Sequence, residues 1–409
     1  MQRQGSDEGR WHTVGADNER ELVEERLEAL LRDHPPKETD EQTFWGAQYD
    51  AGLAWVNFPE GKGGLGVSPR HQTFVNQRVM DEGGSVRNRA INVIGIGMGA
   101  ATLVTHGTEE QQQLLRPMFT AEEIWCQLFS EPGAGSDLAG LATSAVKEGD
   151  TWIINGQKVW TTLAHLAKWG LLVARTDPDV PKHAGLTYFV VDMEAEGVEV
   201  RPLYQITGDA EFNEVYFDDA KIPDDMRVGE VGQGWSVSMT TLMNERVAIG
   251  GQVQPRESGT IADAVSVWRE REHDDPVLRD ELTAYWIEAE SLRLTSIRAG
   301  EARRQGTPGP EGSTTKLHWA DLNKKISSFT MDLMEADGMT FPGGYSFERP
   351  SMSAMRGGNP HKTFLRSRAN SIEGGTSEIM KNILGERVLG LPGEPRVDKN
   401  VPWREVPRS

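Results

Sequence analysis

The order of hydrophobic patterns along the 409 residues predicts an α+β fold in which helices come first, strands follow and helices return. Apolar residues recur at helical spacing up to about residue 121 and again over 233–391. Short runs of strand type, bounded by turn residues, occupy 122–232. Because no helical pattern interrupts these runs, the middle part is a β domain and not a Rossmann unit. The tail over 392–409 is Pro-rich and charged, and we expect it to wrap or dangle rather than pack.

The first part contains two predicted helices and two glycine-rich stretches. Apolar spacing predicts a helix over 19–31, and a second helical stretch is expected near 41–53. The glycine-rich stretches resemble nucleotide-binding motifs but fail their spacing. In 58–66 the lysine is followed by glycine, and in 94–100 the third glycine is one residue early. We therefore expect turn geometry from the first stretch and close helix packing from the second.

The middle and last parts give further element predictions. Residues 152–160 are expected to form two short strands around a turn at Asn155-Gly156. Other strands are predicted over 171–175, 186–192, 198–203 and 213–218. Long helices are predicted over 236–250, 278–304 and 314–337, with a buried stripe at Leu322, Ile326, Phe329 and Leu333 and a final helix after 375–378.

Composition excludes several classes of protein. Apolar residues make up 37% and charged residues 26%, as in an ordinary globular protein, and no window is apolar enough for a membrane span. Cys126 is the one cysteine, which excludes an internal disulfide and a multi-cysteine metal site and fits a reducing cytoplasm. The net charge of −19 argues against a nucleic-acid surface.

Two stretches of the middle part combine residue types that suit a flat ligand with polar edges. In 125–140, an apolar start meets a Ser-Glu-Pro turn at 130–132, where proline prevents a helix. Residues 133–136 follow with two glycines, a serine and free backbone donors, which suit close approach of an anion or a ring edge. In 158–162, Trp160 stands beside two hydroxyl side chains.

These stretches resemble signatures of the acyl-CoA dehydrogenase family. Residues 128–137 are similar to its first motif, and residues 158–162 are similar to its second flavin-contacting strand. The resemblance implies an N-terminal helical domain over 1–121, a central β domain over 122–232 and a C-terminal four-helix bundle over 233–391. It also implies FAD as cofactor, α,β-dehydrogenation of an acyl-CoA thioester as in fatty acid β-oxidation, and an electron-transfer flavoprotein as acceptor.

The resemblance assigns roles to individual residues. Contacts with FAD are implied for Gln127, Phe129, Ser130, Trp160, Thr162, Thr376 and Glu378. Contacts with the acyl-CoA are implied for Ser136, Arg246 and Gly374. The Gly374 N–H would hold the thioester carbonyl. Glu378 replaces the common glutamine, and its charge would repel a phosphate.

The catalytic base departs from the common pattern of the family. Most members place a glutamate directly before a late Gly-Thr pair, but here Gly374 holds that position and Glu373 lies one residue early. The long-chain and isovaleryl-CoA dehydrogenase branches place the base earlier, in a Glu-Arg pair on a helix. Glu245 and Arg246 form such a pair. Glu245 is therefore the preferred base, with Glu373 and the absence of a base in this subunit as alternatives.

Two further departures concern the FAD half that lies across a dimer interface in the family. Residues 268–276 lack the usual Arg-x-x-Phe-Gly motif, and residues 332–338 lack Gln-x-x-Gly-Gly. A homodimer or homotetramer, a heterotetramer with a related subunit in which this chain is weakly or non-catalytic, and a flavin oxidase on the same fold therefore all stay open. The acyl group stays open too: fatty, branched and steroid side-chain thioesters are all compatible with the sequence.

Overall fold

The computed structural model describes residues 16–250, 255–304, 311–342, 347–351, 359–395 and 398–407. It divides into two compact units. The first lies within 1–88 and 113–122, and the second within 89–112 and 123–409.

The first unit is helical, as its apolar spacing predicts. Its helices are α1 (Ala16–Asp33), α2 (Glu41–Asp50), α3 (Gln72–Asp81) and α6 (Leu115–Phe119). Val23, Leu27 and Leu30 form the buried stripe of α1. The glycine-rich stretch 58–66 is a turn: a Cβ at Gly64 would lie 2.1 Å from the Phe58 carbonyl oxygen. Its glycines allow close backbone approach, which confirms the expectation of turn geometry.

The second unit contains a sheet built from the predicted β runs. Its strands are β1 (Trp125–Leu128), β2 (Ser144–Glu148), β3 (Thr151–Thr162), β4 (Trp169–Arg175), β5 (Leu186–Asp192), β6 (Val198–Pro202), β7 (Phe212–Pro223) and β8 (Arg227–Val228). Among the described residues the order is β6-β7-β3-β2-β4-β5-β8, and β1 pairs with β4 in parallel. Its core consists of residues such as Leu128, Trp152, Phe189, Val215 and Phe217.

The predicted hairpin at Asn155-Gly156 is wrong. The turn lies earlier, at Gly149-Asp150, because Glu148 pairs with Thr151 across β2 and β3. The β3 strand then runs straight through Gly156, whose φ of +149° accommodates a register shift against β7. A Cβ at Gly156 would lie 2.6 Å from the Thr143 hydroxyl oxygen, so glycine serves a close approach here rather than a hairpin turn.

The remaining elements of the second unit are helical. They are α4 (Asn88–Ile91), a π-helical turn at Gly95–Gly99, α5 (Ala100–His106), α7 (Gly234–Gly250), α8 (Thr260–Glu270), α9 (Pro276–Arg304), α10 (Glu311–Leu333), α11 (Pro360–Ser367) and α12 (Ser377–Ile383). The glycine-rich stretch 94–100 is thus helical, as expected. The α10 stripe is buried as predicted, and it packs with residues of α8 and α9 such as Ile261, Val267 and Leu282. The spacing of apolar residues did not predict α8 or α11.

The described part of the tail packs against the connection between β4 and β5, which corrects the expectation that it would not pack. Pro402 forms a β-bridge with Pro181, and the Trp403 N–H donates to the Val180 carbonyl at 2.9 Å. Among the described residues, none of the helices combines the length and hydropathy that a membrane span requires.

Candidate active site

A buried ion pair joins the two motif stretches. Lys158 on β3 is fully buried, and its Nζ donates to Glu131 Oε1 at 2.8 Å and to the Phe129 carbonyl at 3.0 Å. The Glu131 carboxylate also accepts from the Ala142 and Thr143 N–H groups, at 2.6 and 2.9 Å. Four hydrogen bonds thus hold the two charges and the turn after β1 in one geometry.

Both members of this pair have a lowered pKa. Burial lowers the pKa of Lys158, and the nearby Glu131 carboxylate offsets only part of that effect. Burial disfavours the Glu131 carboxylate, but the Lys158 ammonium and the hydrogen bonds outweigh it and bring its pKa below the ordinary value. A glutamate with a lowered pKa beside an ammonium forms a structural ion pair and does not serve as a general base.

Trp160 lies in a strained bulge of β3. The register against β7 shifts between Lys158 and Thr161, and Trp160 has a φ of +61°, in the left-handed region that bulky residues avoid. Its neighbours Val159 and Thr161 are buried, whereas Trp160 is 55% exposed. Its ring makes an edge contact with Phe212, with centroids 5.9 Å apart. Such strain is concentrated at functional sites, and it turns a flat aromatic surface outward here.

The bulge and the first motif are neighbours. The Val159 N–H donates to the Ser130 carbonyl at 2.9 Å, so Ser130 and Trp160 are brought together as predicted. Thr162 lies at the end of β3, paired with Phe212. Gln127 is half-buried in β1. Phe129 differs from the rest because its ring is buried against Tyr188, at 5.9 Å between centroids.

The loop 132–137 offers space for a ligand. Two hydrogen bonds between Glu131 and Ala134 close its turn, each at 3.0 Å, and Ala134 is buried. The Cα atoms of Gly133 and Gly135 face open space, with no atom within 4 Å of a Cβ built there. Ser136 is exposed beside them. The loop therefore presents backbone and a hydroxyl to whatever binds beside β3.

The late loop has two consecutive residues with positive φ. Gly374 and Gly375 have φ values of +61° and +93°. Lys316 on α10 donates from Nζ to the Gly375 carbonyl at 2.5 Å, and partial burial lowers the pKa of this lysine. Thr376 caps α12 by accepting from the Ile379 N–H at 3.1 Å, and Glu378 lies in the first turn of that helix.

Glu373, the alternative base, is held by other side chains. Arg366 donates to both of its carboxylate oxygens, at 3.0 and 2.7 Å, and Asn370 donates to one of them at 2.8 Å. Arg366 is buried and also lies near the buried Glu211, with Nε 3.6 Å from Oε1. Although burial opposes its charge, Glu373 and the other nearby carboxylates raise the pKa of Arg366, so the guanidinium stays charged.

The side chains of Glu245 and Arg246 lie outside the described residues. Their helix, α7, is positioned by Thr241, which is buried. The Thr241 hydroxyl lies 3.0 Å from the Tyr188 hydroxyl on β5 and 2.9 Å from the Thr102 hydroxyl on α5. Position 245 is one helical turn beyond Thr241 and so belongs to the same row along α7.

Comparison with known proteins decides the family. Models of acyl-CoA dehydrogenases match the chain in three consecutive parts: the N-terminal domain over 13–123, the middle domain over 126–220 and the C-terminal domain over 232–389. The chain belongs to the acyl-CoA dehydrogenase family. It is an FAD-dependent oxidoreductase with the acyl-CoA dehydrogenase fold.

Relatives of this acyl-CoA dehydrogenase include mycobacterial enzymes. Acyl-CoA dehydrogenase IpdE1 of Mycobacterium tuberculosis is 39% identical over 362 residues, which cover 87% of this chain and 90% of that protein. Among solved structures, the Tcur3481-Tcur3483 steroid ACAD matches with a TM-score of 0.69 and 24% identity, covering 93% of this chain and 99% of that chain. The ChsE4-ChsE5 complex from Mycobacterium tuberculosis matches with a TM-score of 0.67 and 24% identity, covering 94% and 100%.

The residues of this acyl-CoA dehydrogenase fit FAD on the side of the flavin ring. The strained bulge presents an exposed indole, and the bond from Val159 places Ser130 beside it. Ser130, Trp160 and Thr162 are the residues that would hold the ring, and Phe129 contributes main chain because its own ring is buried. Strain at Trp160 is the feature that the sequence did not reveal, since positive φ has no signal at a tryptophan.

The two stretches that lack the family's FAD motifs lie together. Arg271, at the end of α8, forms an ion pair with Asp337, and His273 Nε2 lies 2.8 Å from the Leu333 carbonyl. Arg271 of the first stretch is therefore engaged within this chain. The fit to the distal half of FAD is weaker here than the fit to the ring.

Proposed function

We propose that this chain removes hydrogen from the α- and β-carbons of an acyl-CoA thioester to give the trans-2-enoyl-CoA, and that the electrons pass to an electron-transfer flavoprotein. One observation carries the proposal: the exposed, strained Trp160 is bonded through Val159 to the turn that leads into the open loop 132–137. A surface for a flat ring and a loop for the thioester's CoA portion then lie side by side, as this reaction requires.

The chemistry divides among residues of three segments. A hydrogen bond to the thioester carbonyl makes the α-hydrogen more acidic, and we assign the donor of this bond to the Gly374 N–H. Glu245 takes the α-proton as general base. When bound, FAD accepts the hydride from the β-carbon. Ser136 contacts the CoA portion of the substrate. We assign Arg246 to the rim of the site on the CoA side. Thr376 and Glu378 are the residues that we assign to the FAD phosphates and ribose.

Two arguments favour Glu245 over Glu373 as the base. Both carboxylate oxygens of Glu373 already accept hydrogen bonds from Arg366, so protonating it would weaken a bidentate ion pair with a buried guanidinium. Glu245 follows Thr241 by one turn on a helix whose buried face packs against β5 and α5. The sequence around Glu245 is mostly apolar, at Met243, Val247 and Ile249, which suits a general base.

The test compares Glu245→Gln with Glu373→Gln. Both variants are purified with their flavin, and bleaching of the flavin band by acyl-CoA is followed anaerobically. Glu245→Gln should keep the flavin and slow bleaching by roughly 10²–10⁴-fold, because proton abstraction is lost. Glu373→Gln should bleach within about tenfold of the wild type, because glutamine still accepts from Arg366. Bleaching of Glu245→Gln at the wild-type rate would refute the assignment.

We also propose that a related subunit completes the assembly. The named structural neighbours Tcur3481-Tcur3483 and ChsE4-ChsE5 are pairs of different chains. On α9, Ile287 and Leu294 are 58% and 53% exposed, and Ala284 and Ser291 extend the same exposed row at 3-4-3 spacing. Such an unpaired stripe suits a helix of a partner chain.

The assembly is tested by light scattering of the protein alone and co-expressed with a related acyl-CoA dehydrogenase chain encoded nearby. Leu294→Glu should reduce the mass to that of a smaller species, because a buried unpaired charge disrupts a helix interface. Arg298→Glu is the matched control, since Arg298 extends the same row but carries a charge already. Equal masses for wild type and Leu294→Glu would place the interface elsewhere.

A panel of acyl-CoA thioesters identifies the substrate, and assays with different electron acceptors identify the acceptor. Fatty, branched and steroid side-chain CoA thioesters are compared, and the steroid thioester comes first because one structural neighbour is named a steroid ACAD. Bleaching by one thioester identifies the acyl class. Oxygen consumption without an added acceptor would instead favour the oxidase alternative, and reduction of an electron-transfer flavoprotein supports the dehydrogenase.

A further inference from the structure

The described tail segment 398–407, here called the strap, lies beyond the residues that the family model matches, which end at 389. It runs along the connection between β4 and β5. Besides the Pro402–Pro181 bridge and the Trp403–Val180 bond, the Arg404 N–H donates to the Pro178 carbonyl at 3.1 Å. The strap is therefore held by an isolated β-bridge and backbone hydrogen bonds, and it is not a loose end.

Trp403 reaches from the strap to the far end of the loop that follows the first motif. Its Nε1 donates to the Gly140 carbonyl at 3.1 Å. Its ring covers the Arg175 guanidinium, whose Cζ lies 4.2 Å from the ring centroid. Arg175 is buried and donates to the Ala139 and Leu141 carbonyls at 2.6 and 3.1 Å. The Trp403 ring thus covers the Arg175 guanidinium, which in turn holds the carbonyls of residues 139 and 141.

Lys182 forms the second link between the strap and this loop. Its Nζ donates to both carboxylate oxygens of Asp137, each at 2.8 Å, and to Asp398 of the strap. Partial burial opposes the charge of Lys182, but its two carboxylate partners outweigh it and raise its pKa. Asp137 directly follows Ser136, so this ion network ends one residue from the exposed hydroxyl.

We infer that the strap is a positioning element for acyl-CoA binding: through Trp403 and Asp398 it holds the far end of the loop that carries Ser136. The inference rests on the proposed function, in which Ser136 contacts the CoA portion. The loop contains two glycines that face open space, and glycine restricts the backbone less than other residues do. The strap restricts it before the ligand arrives, which lowers the ordering cost of binding.

A strap of this kind affects binding and not chemistry. Its hydrogen bonds reach the loop at Gly140 and, through Lys182, at Asp137. Loss of the strap should therefore raise the Kd for coenzyme A and the KM for the thioester while kcat stays close to the wild-type value. A role confined to folding would lower the unfolding temperature and leave both constants unchanged.

The experiment uses the full flavin-loaded protein, with its partner subunit if it is isolated with one. Wild type, a deletion of 395–409, Trp403→Ala and Arg404→Ala are compared. Arg404→Ala is the matched control, because it removes only an exposed ion pair with Asp179 from the same segment. Coenzyme A binding is measured by calorimetry, and amide exchange is followed in the peptide 131–142.

The deletion should weaken coenzyme A binding by about tenfold and Trp403→Ala by roughly fivefold, with faster exchange in 131–142. Arg404→Ala should stay within about twofold of the wild type. Unchanged coenzyme A affinity or unchanged exchange in the flavin-loaded deletion would overturn the inference. If the wild type itself binds no coenzyme A, the proposed function fails, and the exchange measurement still decides whether the strap holds the loop.

Discussion

The two ends of the loop 131–141 are held by different parts of the chain. Its near end is fixed by the Lys158–Glu131 pair, in which the lysine is fully buried and its partner is 27 residues away in sequence. Its far end is fixed by the strap, through bonds that span 216 and 263 residues. The near end belongs to the family motifs, whereas the far end depends on a segment outside the family models. One loop thus combines an anchor within the matched family motifs with an anchor outside the matched residues.

The largest effect on the near end of the loop is expected for Lys158→Met. Removing the cation leaves the Glu131 carboxylate buried without its ion-pair partner, and we expect a loss of about 3–5 kcal/mol in the free energy of unfolding. Urea denaturation of the flavin-loaded protein measures it. The double variant Lys158→Met with Glu131→Gln serves as control and should be less destabilised than the single one. A loss under about 1 kcal/mol for Lys158→Met would show that the near anchor is dispensable.

Acid titration tests the same end of the loop, at Glu131. The pKa of Glu131 is lower in the folded chain than its ordinary value, so the stability that it contributes is present above about pH 4.3. This contribution is lost as the pH falls through the folded pKa. We expect the stability difference between wild type and Glu131→Gln, about 1–3 kcal/mol at pH 7, to shrink on acidification. A difference that stays constant from pH 7 to 3 would contradict the charged pair.

The far anchor should be weaker. Lys182→Met removes a cation whose partner Asp137 is 62% exposed, so water screens much of the interaction. We expect a loss of about 1 kcal/mol in the free energy of unfolding, measured by urea denaturation as before. Lys182→Arg, which keeps the charge, should recover part of it. A loss as large as that of Lys158→Met would make the two anchors equivalent.

The smallest effect is expected for the exposed ion pair of the strap. Arg404 and Asp179 are both more than half exposed, and such pairs contribute about 0–1 kcal/mol. Arg404→Ala should change the midpoint of thermal unfolding by no more than about 2 °C. A larger shift would mean that the strap is held by its surface charges rather than by Trp403.

The sequence predicts the strands around the near anchor better than it predicts the far anchor, for a physical reason. Local patterns encode the strands and helices, and the bounds of β5 agree with the predicted strand over 186–192. The motif positions of Ser130 and Trp160 were also brought together as predicted. The hairpin turn was misplaced because Gly156 serves a close approach to Thr143, and a glycine gives the same local signal in both roles.

What the sequence did not reveal depends on long-range packing. The docking of Trp403 on Arg175 needs two segments that no periodicity connects. The pairing of Glu373 with Arg366 likewise turned a candidate base into a residue held by its neighbour, although the two lie only seven positions apart. In both cases the side chain's partner, and not its type, decides its role, and partners are set by tertiary structure.

Gly374 has a consequence for how this chain can change over generations. Its φ of +61° is a conformation in which any side chain costs roughly 1–2 kcal/mol, and Lys316 holds the next carbonyl in place. A mutation that restores the common glutamate at this position would strain the loop before it supplied a useful carboxylate. Under the proposed assignment to Glu245, a glutamate placed at position 374 would therefore cost stability without being needed as a base.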